Sequence, residues 1–284
     1  MINELFTLFL KLFRDPYFYP PAIALILLIE YRYPAIPSQK TINTGFAHDA
    51  VWLLVQAALA ATLVTGYVTL LRALYHRHLD FLTINAMGRW PLWAKFAVWF
   101  LVTDFLQWLH HWVRHKVPWF WQFHTVHHSQ KQMSLFTDLR YHAVEYLIAE
   151  TVMAVPLMVM SANLNSVVGF TFLQRWYTHF YHANVGWNLG PLRYVLVTPQ
   201  SHRIHHSADP RHRDKNFGVI FSFWDRLFGT QYGRYDEYPE TGIVDARFPL
   251  ERTVSIKSLL LTPIRQHIYP FQAIARDLKK FSSA

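Results

Sequence analysis

Eight histidines stand in three short patterns whose spacing brings ring nitrogens together. His111 and His115 are four apart, His124, His127 and His128 follow an i, i+3, i+4 pattern, and His202, His205 and His206 repeat it. Helical residues three or four apart share one face about a turn apart, so each pattern aims its imidazoles to one side. The chain has no cysteine, which leaves His, Asp and Glu as possible metal ligands. One Zn2+ takes about four ligands, and eight converging imidazoles therefore imply two metal ions, or one metal and many unexplained histidines. A lone H-x3-H arises easily in any helix. One such pair beside two H-x2-H-H triads, all at the ends of apolar runs, is far more specific. The bland alternative is surface histidine at a membrane interface, but 13 of the 17 His fall within residues 110–142 and 179–212, and scatter does not cluster in this way.

The apolar runs are what must position these groups. Residues 50–71 contain 22 residues without Lys, Arg or Glu, enough to cross a hydrocarbon core of about 30 Å at about 1.5 Å per residue. Residues 92–109 carry Lys95 near one end and Asp104 near the other, residues 17–31 are short for a span, and residues 143–178 are broken at Ser161–Asn165, which reads as two short spans joined by a tight turn. Residues 1–14 are apolar but lack a small-residue cleavage site, so they do not read as a signal peptide. The expected fold is all-α: an integral membrane bundle of four to five spans with a helical cap holding the His-ligated di-metal site. A soluble helical protein fits less well, because 50–71 is apolar all round rather than along one stripe.

The net charge of +9 does not point to nucleic acid, since Lys and Arg are scattered and no nucleic-acid module is present. Their distribution instead orients the spans. Residues 1–14 and 72–91 hold 5 Lys and Arg, whereas 32–49, 110–142 and 179–284 hold 20. The second side, with both His-rich stretches, is expected to be cytoplasmic. The 22 Phe, 15 Tyr and 11 Trp suit a membrane interface. Aromatics beside the boxes (Trp108, Trp112, Trp119, Phe120, Trp121, Phe172, Trp176 and Phe180) are the material for a lipid channel under the cap, the alternative being an interfacial belt.

The Asp104 helix leading into His111-x3-His115, the nine-residue step to His124-x2-His127-His128, then RYHAVE (140–145), YHANVG (181–186), PQSHRIHHS (199–207) and DKNFGVIFSFWDRLFGT (214–230) resemble the fatty acid hydroxylase/sterol desaturase superfamily of membrane oxygenases. The resemblance covers residues 95–230, between an N-terminal membrane region 1–94 and a C-terminal tail 231–284, within one structural domain. It implies a di-iron centre with O2 as co-substrate, zinc replacing iron in aerobically purified material, and ligands at His111, His115, His124, His127, His128, His202, His205 and His206. It extends to His182, to His179 (otherwise an interfacial histidine) and to His142, as a ligand or as a group that holds one, although Ala143 replaces the family's proline. Asp104 is read either as the acceptor that orients a ligating imidazole or as a helix-packing or substrate-side group. Glu145 is read as supporting a ligand, and Asp225–Arg226 as a structural pair. His110 is expected to face away from His111, and His48, His76, His78, His212 and His267 to lie on the surface.

The reaction implied is hydroxylation or desaturation of a C–H bond in a membrane lipid such as a fatty acyl chain, sterol or ether lipid. Electrons would come from a separate donor protein, since no cytochrome domain is fused. A zinc hydrolase is disfavoured because no H-E-x-x-H occurs. A metal transporter, the second reading, would hold its ligands in broken helices near mid-bilayer, whereas these boxes lie at span ends.

Overall fold

A computed structural model describes residues 19–162 and 164–282; the segment 1–14 lies outside them. The described residues are helical, with three isolated β-bridges and no strand. Helix α1 is Tyr19–Arg32. Helix α2, Thr44–His78, is long and apolar enough to cross a membrane, and its most apolar stretch is only 17% buried, which a soluble core helix would not be. Asn43 caps it by accepting from the Phe46 amide at 3.0 Å. Midway, Ala60–Val64 widens into a π-helix. The Thr62 and Thr65 hydroxyls donate back to the Ala58 and Ala60 carbonyls, so neither needs water.

Helix α3, Leu92–Lys116, continues the 92–109 run and carries the first His pair at its end. Pro118 forces the preceding Val117 into extended backbone and opens helix α4, Pro118–His128, at its first position. That sharp corner folds the second His box back against the first. His142 caps α5, Ala143–Val159, and a turn with Ser161 in the left-handed region leads toward α6, Leu164–His182, giving the expected helical hairpin. Helix α7, Pro199–His205, starts from a reciprocal Thr198–Ser201 capping box and bears the third His box. Helix α8, Phe223–Leu227, and helix α9, Ile256–Ser282, complete the chain. Exposed leucines stud the outer faces of α1, α2 and α3, among them Leu28, Leu54, Leu70 and Leu101, an apolar exterior that water would not tolerate as one surface.

The 129–142 loop and the C-terminal helix are held to α2 by buried charge as well as by an apolar cluster of Trp52, Val126, Phe248, Tyr269 and Ala273. Arg140, fully buried, donates to Asp49 at 2.6 Å and also pairs with Glu251. Asp49 further accepts from Gln130 at 2.9 Å and Ser134 at 2.6 Å, and Glu251 from Gln266 at 2.8 Å. This joins α2, the 129–142 loop and the C-terminal helix. Arg140→Ala would leave two carboxylates buried without a counter-charge, and the expected loss is about 3–5 kcal/mol. A thermal unfolding midpoint in detergent that matches the wild type would contradict this account.

Candidate metal centre

Nine imidazoles converge between α3, α4, α6 and α7, in two adjoining groups. His111, His115, His124, His128 and His205 each offer a nitrogen within 4.8 Å of the others, and so do His127, His182, His202 and His206. The two H-x2-H-H boxes are shared between the groups. His124 and His128 serve the first and His127 the second, while His202 and His206 serve the second and His205 the first. Helical rotation explains the exchange. Residues i and i+4 differ by about 40°, whereas i+3 lies about 60° to the other side. One box can therefore aim two rings at one point and the third at a neighbouring point.

The rings are held from behind. His111 Nδ1 donates to the Phe217 carbonyl at 2.9 Å, His205 Nδ1 to the Lys215 carbonyl at 2.8 Å, His182 Nδ1 to the Thr178 carbonyl at 2.7 Å and His124 Nδ1 to the Glu145 carboxylate at 2.7 Å. Each contact puts the proton on Nδ1 and leaves the Nε2 lone pair for the interior. Nε2 of His111, His115 and His205 is buried with no protein partner. In the second group nitrogens face nitrogens: His202 Nε2 is 2.8 Å from His182 Nε2, and His206 Nε2 is 3.1 Å from His202 Nε2. Lone pairs converging in a dry interior demand a proton or a cation between them. Burial pushes the His205 imidazole down to about 3 and holds those of His124, His127, His128, His202 and His206 well below their ordinary 6.5. They are therefore neutral at pH 7, the form of imidazole that can ligate a metal. An all-imidazole donor set suits iron or zinc.

Comparison with known proteins agrees with this arrangement. The fatty acid hydroxylase family profile matches residues 96–230, the segment that supplies all nine imidazoles. Residues 96–230 thus form a fatty acid hydroxylase domain, of the fatty acid hydroxylase/sterol desaturase superfamily. Alkylglycerol monooxygenase from Caenorhabditis elegans is 32% identical over 147 residues, covering 50% of this chain and 28% of the relative. The human alkylglycerol monooxygenase is 32% identical over 143 residues, 49% of this chain and 30% of its own. Ornithine lipid hydroxylase OlsE from Rhizobium tropici is 25% identical over 215 residues, 75% of this chain and 65% of the relative. The chain thus spans about a third or less of the monooxygenases it matches. No solved structure matches it significantly.

The geometry places several of the expected residues outside the two groups or with other partners than expected. His142 stands in neither group. Its Nδ1 accepts from the Val144 amide and its Nε2 donates to the His267 carbonyl at 2.9 Å, so one ring nitrogen caps α5 and the other ties it to α9. His179 is also apart, its Nδ1 shared between Leu135 O and Asp138 Oδ1, both at 2.8 Å. Asp104 does not orient an imidazole. It accepts from the Ile220 and Phe221 amides and from Trp224 Nε1. Asp225 and Arg226 do not pair: Asp225 accepts from the Phe217 and Gly218 amides and Trp108 Nε1, while Arg226 donates to the Arg193 and Tyr194 carbonyls. Both aspartates thus fix residues 217–221, whose Phe217 carbonyl holds His111. Gly218 is required there, since a Cβ would stand 2.8 Å from Val197 and 2.9 Å from the Phe221 carbonyl. His48 and His212 are buried rather than superficial. His212 sits between Ser207 Oγ and Glu237 and was unreadable from a lone H in a charged run. His110 faces Phe120, away from both groups, as expected.

Glu145 occupies the supporting role expected of it, with Arg114 beside it as counter-charge. A cavity of about 210 Å3 opens from His111, His127, His182 and His202 and runs between α3, α5 and α6. Its wall is not the aromatic set anticipated from the sequence. Gln107, Gln174, Arg175, Tyr141 and Tyr181 line it, with Met153 and Leu157 along α5. Trp108 stacks on Phe228 and Trp121 lies against His115 and His128 instead.

The support geometry separates two neighbouring variants. Glu145→Gln removes the carboxylate behind His124 and should weaken metal retention by roughly 10–100-fold. His142→Ala should cost about 1 kcal/mol of helix capping and leave metal retention alone. Chelator competition on both proteins checks this; equal retention in the two would contradict the assignment.

Proposed function

We propose that this chain is an O2-dependent lipid hydroxylase whose two imidazole groups hold two iron ions, zinc being accepted in their place. The observation that carries the reading is the pair of adjoining, buried, neutral imidazole groups with lone pairs turned inward. Bound iron would supply the redox chemistry that activates O2. The overall change is a C–H bond plus O2, two electrons and two protons giving C–OH plus water, the electrons coming from a separate donor protein. The chain's own residues hold the rings from behind, through Glu145 and the Phe217, Lys215 and Thr178 carbonyls. They also exclude bulk water and admit substrate through the cavity. At about 210 Å3 that cavity takes the reacting segment of a lipid rather than the whole molecule. The relatives' names, a monooxygenase and a hydroxylase acting on lipids, support hydroxylation over desaturation; none of those named is a metal transporter.

We further read α2, α3 and the α5–α6 hairpin, with α1 as a fifth crossing, as the membrane bundle, and the His-box side as cytoplasmic. The exposed apolar faces of α1, α2 and α3 support the first reading, and the excess of 20 Lys and Arg over 5 supports the second. Residues 96–230 form the catalytic region.

The test is lipid mass spectrometry on cells expressing wild type or His205→Ala under isotopically labelled O2. Wild type should yield a lipid that has gained one labelled oxygen atom, with about two metal ions per purified chain. His205→Ala should abolish the product and lower metal content. A lipid lacking two hydrogens with no label would move the reading to desaturation, and an active His205→Ala protein with full metal would remove the centre.

The cavity wall makes a separate expectation. Met153→Trp fills space about two turns along α5 from Glu145. It should keep the metals and reduce turnover at least tenfold or change the carbon oxidised. Unaltered rate and product would show that substrate does not use this cavity.

A further inference from the structure

Helix α9 supplies no imidazole to the centre, yet it runs 27 residues, Ile256–Ser282, with low average hydrophobicity and a strong separation of faces. One face is buried: Thr262, Gln266, Tyr269 and Ala273 are all below 9% exposed. A second face is bare. Ile256, Leu260, Ile264, Ile268, Phe271 and Leu278 are 47–80% exposed, and at about 100° per residue they fall within an arc of roughly 120°. Exposed Lys257 falls within that arc in the first turn of the helix, and exposed Arg265 lies about 60° beyond its edge. From 252 to 282 the chain carries six Lys and Arg against one acidic residue, Asp277. A helix with a packed face, a bare apolar face and exposed basic residues matches an interfacial membrane helix.

The height of α9 in the fold points the same way. The His267 carbonyl accepts from His142, the residue that caps α5 at the start of an apolar run. The His267 ring stacks on Trp52 at 5.0 Å, two residues into the run 50–71. Phe271 lies 5.4 Å from Phe123 and 5.5 Å from His142. The middle of α9 therefore sits where two spans begin, the level of a bilayer surface.

We propose that α9 lies flat in the membrane interface, with its apolar arc among the upper acyl chains and Lys257 and Arg265 on anionic phospholipid head groups. The inference rests on the membrane-bundle reading above. Its consequence is mechanical: α9 packs along α4, which carries His124, His127 and His128, so the membrane surface braces one wall of the metal centre.

Because the chain has no cysteine, single labels are clean. Leu260→Cys, Ile264→Cys, Asp277→Cys and Leu54→Cys carry an environment-sensitive fluorophore in vesicles of phosphatidylcholine with or without phosphatidylserine. Wild-type metal content serves as the check on folding. Labels at 260 and 264 should be quenched by lipids brominated high on the acyl chain and protected from aqueous iodide; the label at 277 should behave oppositely. Phosphatidylserine should increase protection at 264, and Lys257→Glu with Arg265→Glu should reduce that increase by about fivefold per residue. Iodide access at 260 and 264 with Leu54→Cys still quenched by lipid overturns the α9 proposal alone. Loss of lipid quenching at Leu54→Cys as well overturns the membrane bundle with it. Concentration-dependent disulfide cross-linking between two molecules of the unlabelled Ile264→Cys variant, without lipid quenching of its labelled form, would assign the arc to a second copy and overturn the proposal.

Discussion

Everything in this protein is arranged around inward-facing nitrogen lone pairs in a dry interior. Nine imidazoles stand close enough that their inward nitrogens meet one another, a concentration of buried polar groups that a cation between them would satisfy. The fold therefore has to bring four helices together against a local electrostatic penalty. It does so with sharp covalent corners and buried charge. Pro118 turns α4 back onto α3, and the Thr198–Ser201 box starts α7 at the required place.

Support for the rings reaches well beyond the ligands. Asp104 and Asp225 lie some distance from the imidazoles, yet between them they clamp the amides of residues 217, 218, 220 and 221. That segment presents the Phe217 carbonyl to His111. Glu145 acts directly, gripping His124 while Arg114 offsets its charge. A carboxylate near an apolar span is costly, and here each one satisfies several donors at once. The Asp49–Arg140–Glu251 network does for the loop and C-terminal helix what these do for the centre.

The same constraint shapes the cavity. A channel built only of Trp and Phe would place apolar surface directly against the imidazoles. The wall instead mixes His, Tyr, Gln and charged residues such as Arg72, Glu150 and Arg175 with Met153 and Leu157 along α5. The large aromatics bind elements together, as Trp108 does with Asp225 and Phe228.

By itself the sequence pointed to the all-helical class, the superfamily and, by spacing, the eight histidines of the three boxes, to which the resemblance added His182; the structure brings these nine rings together. Helical periodicity is a local property, and a 3.6-residue repeat places i, i+3 and i+4 on one face whatever surrounds them. The apolar runs were legible for the same reason, and the 143–178 run divided where Ser161 breaks it. Tertiary structure alone decided how the rings divide between the two groups, because that depends on the angle at which α4 and α7 meet. It also decided which neighbouring polar group each side chain reaches. His142 and His179 carry the right chemistry, but His142 caps a helix, and His179, although its Nδ1 is held as those of the converging rings are, stands outside both groups. Asp104 shares a face with His111, yet the amides of a segment more than a hundred residues later reached it before any imidazole. Long-range partners of this kind leave no periodic trace in the chain, since nothing local records which backbone will fold against a given carboxylate.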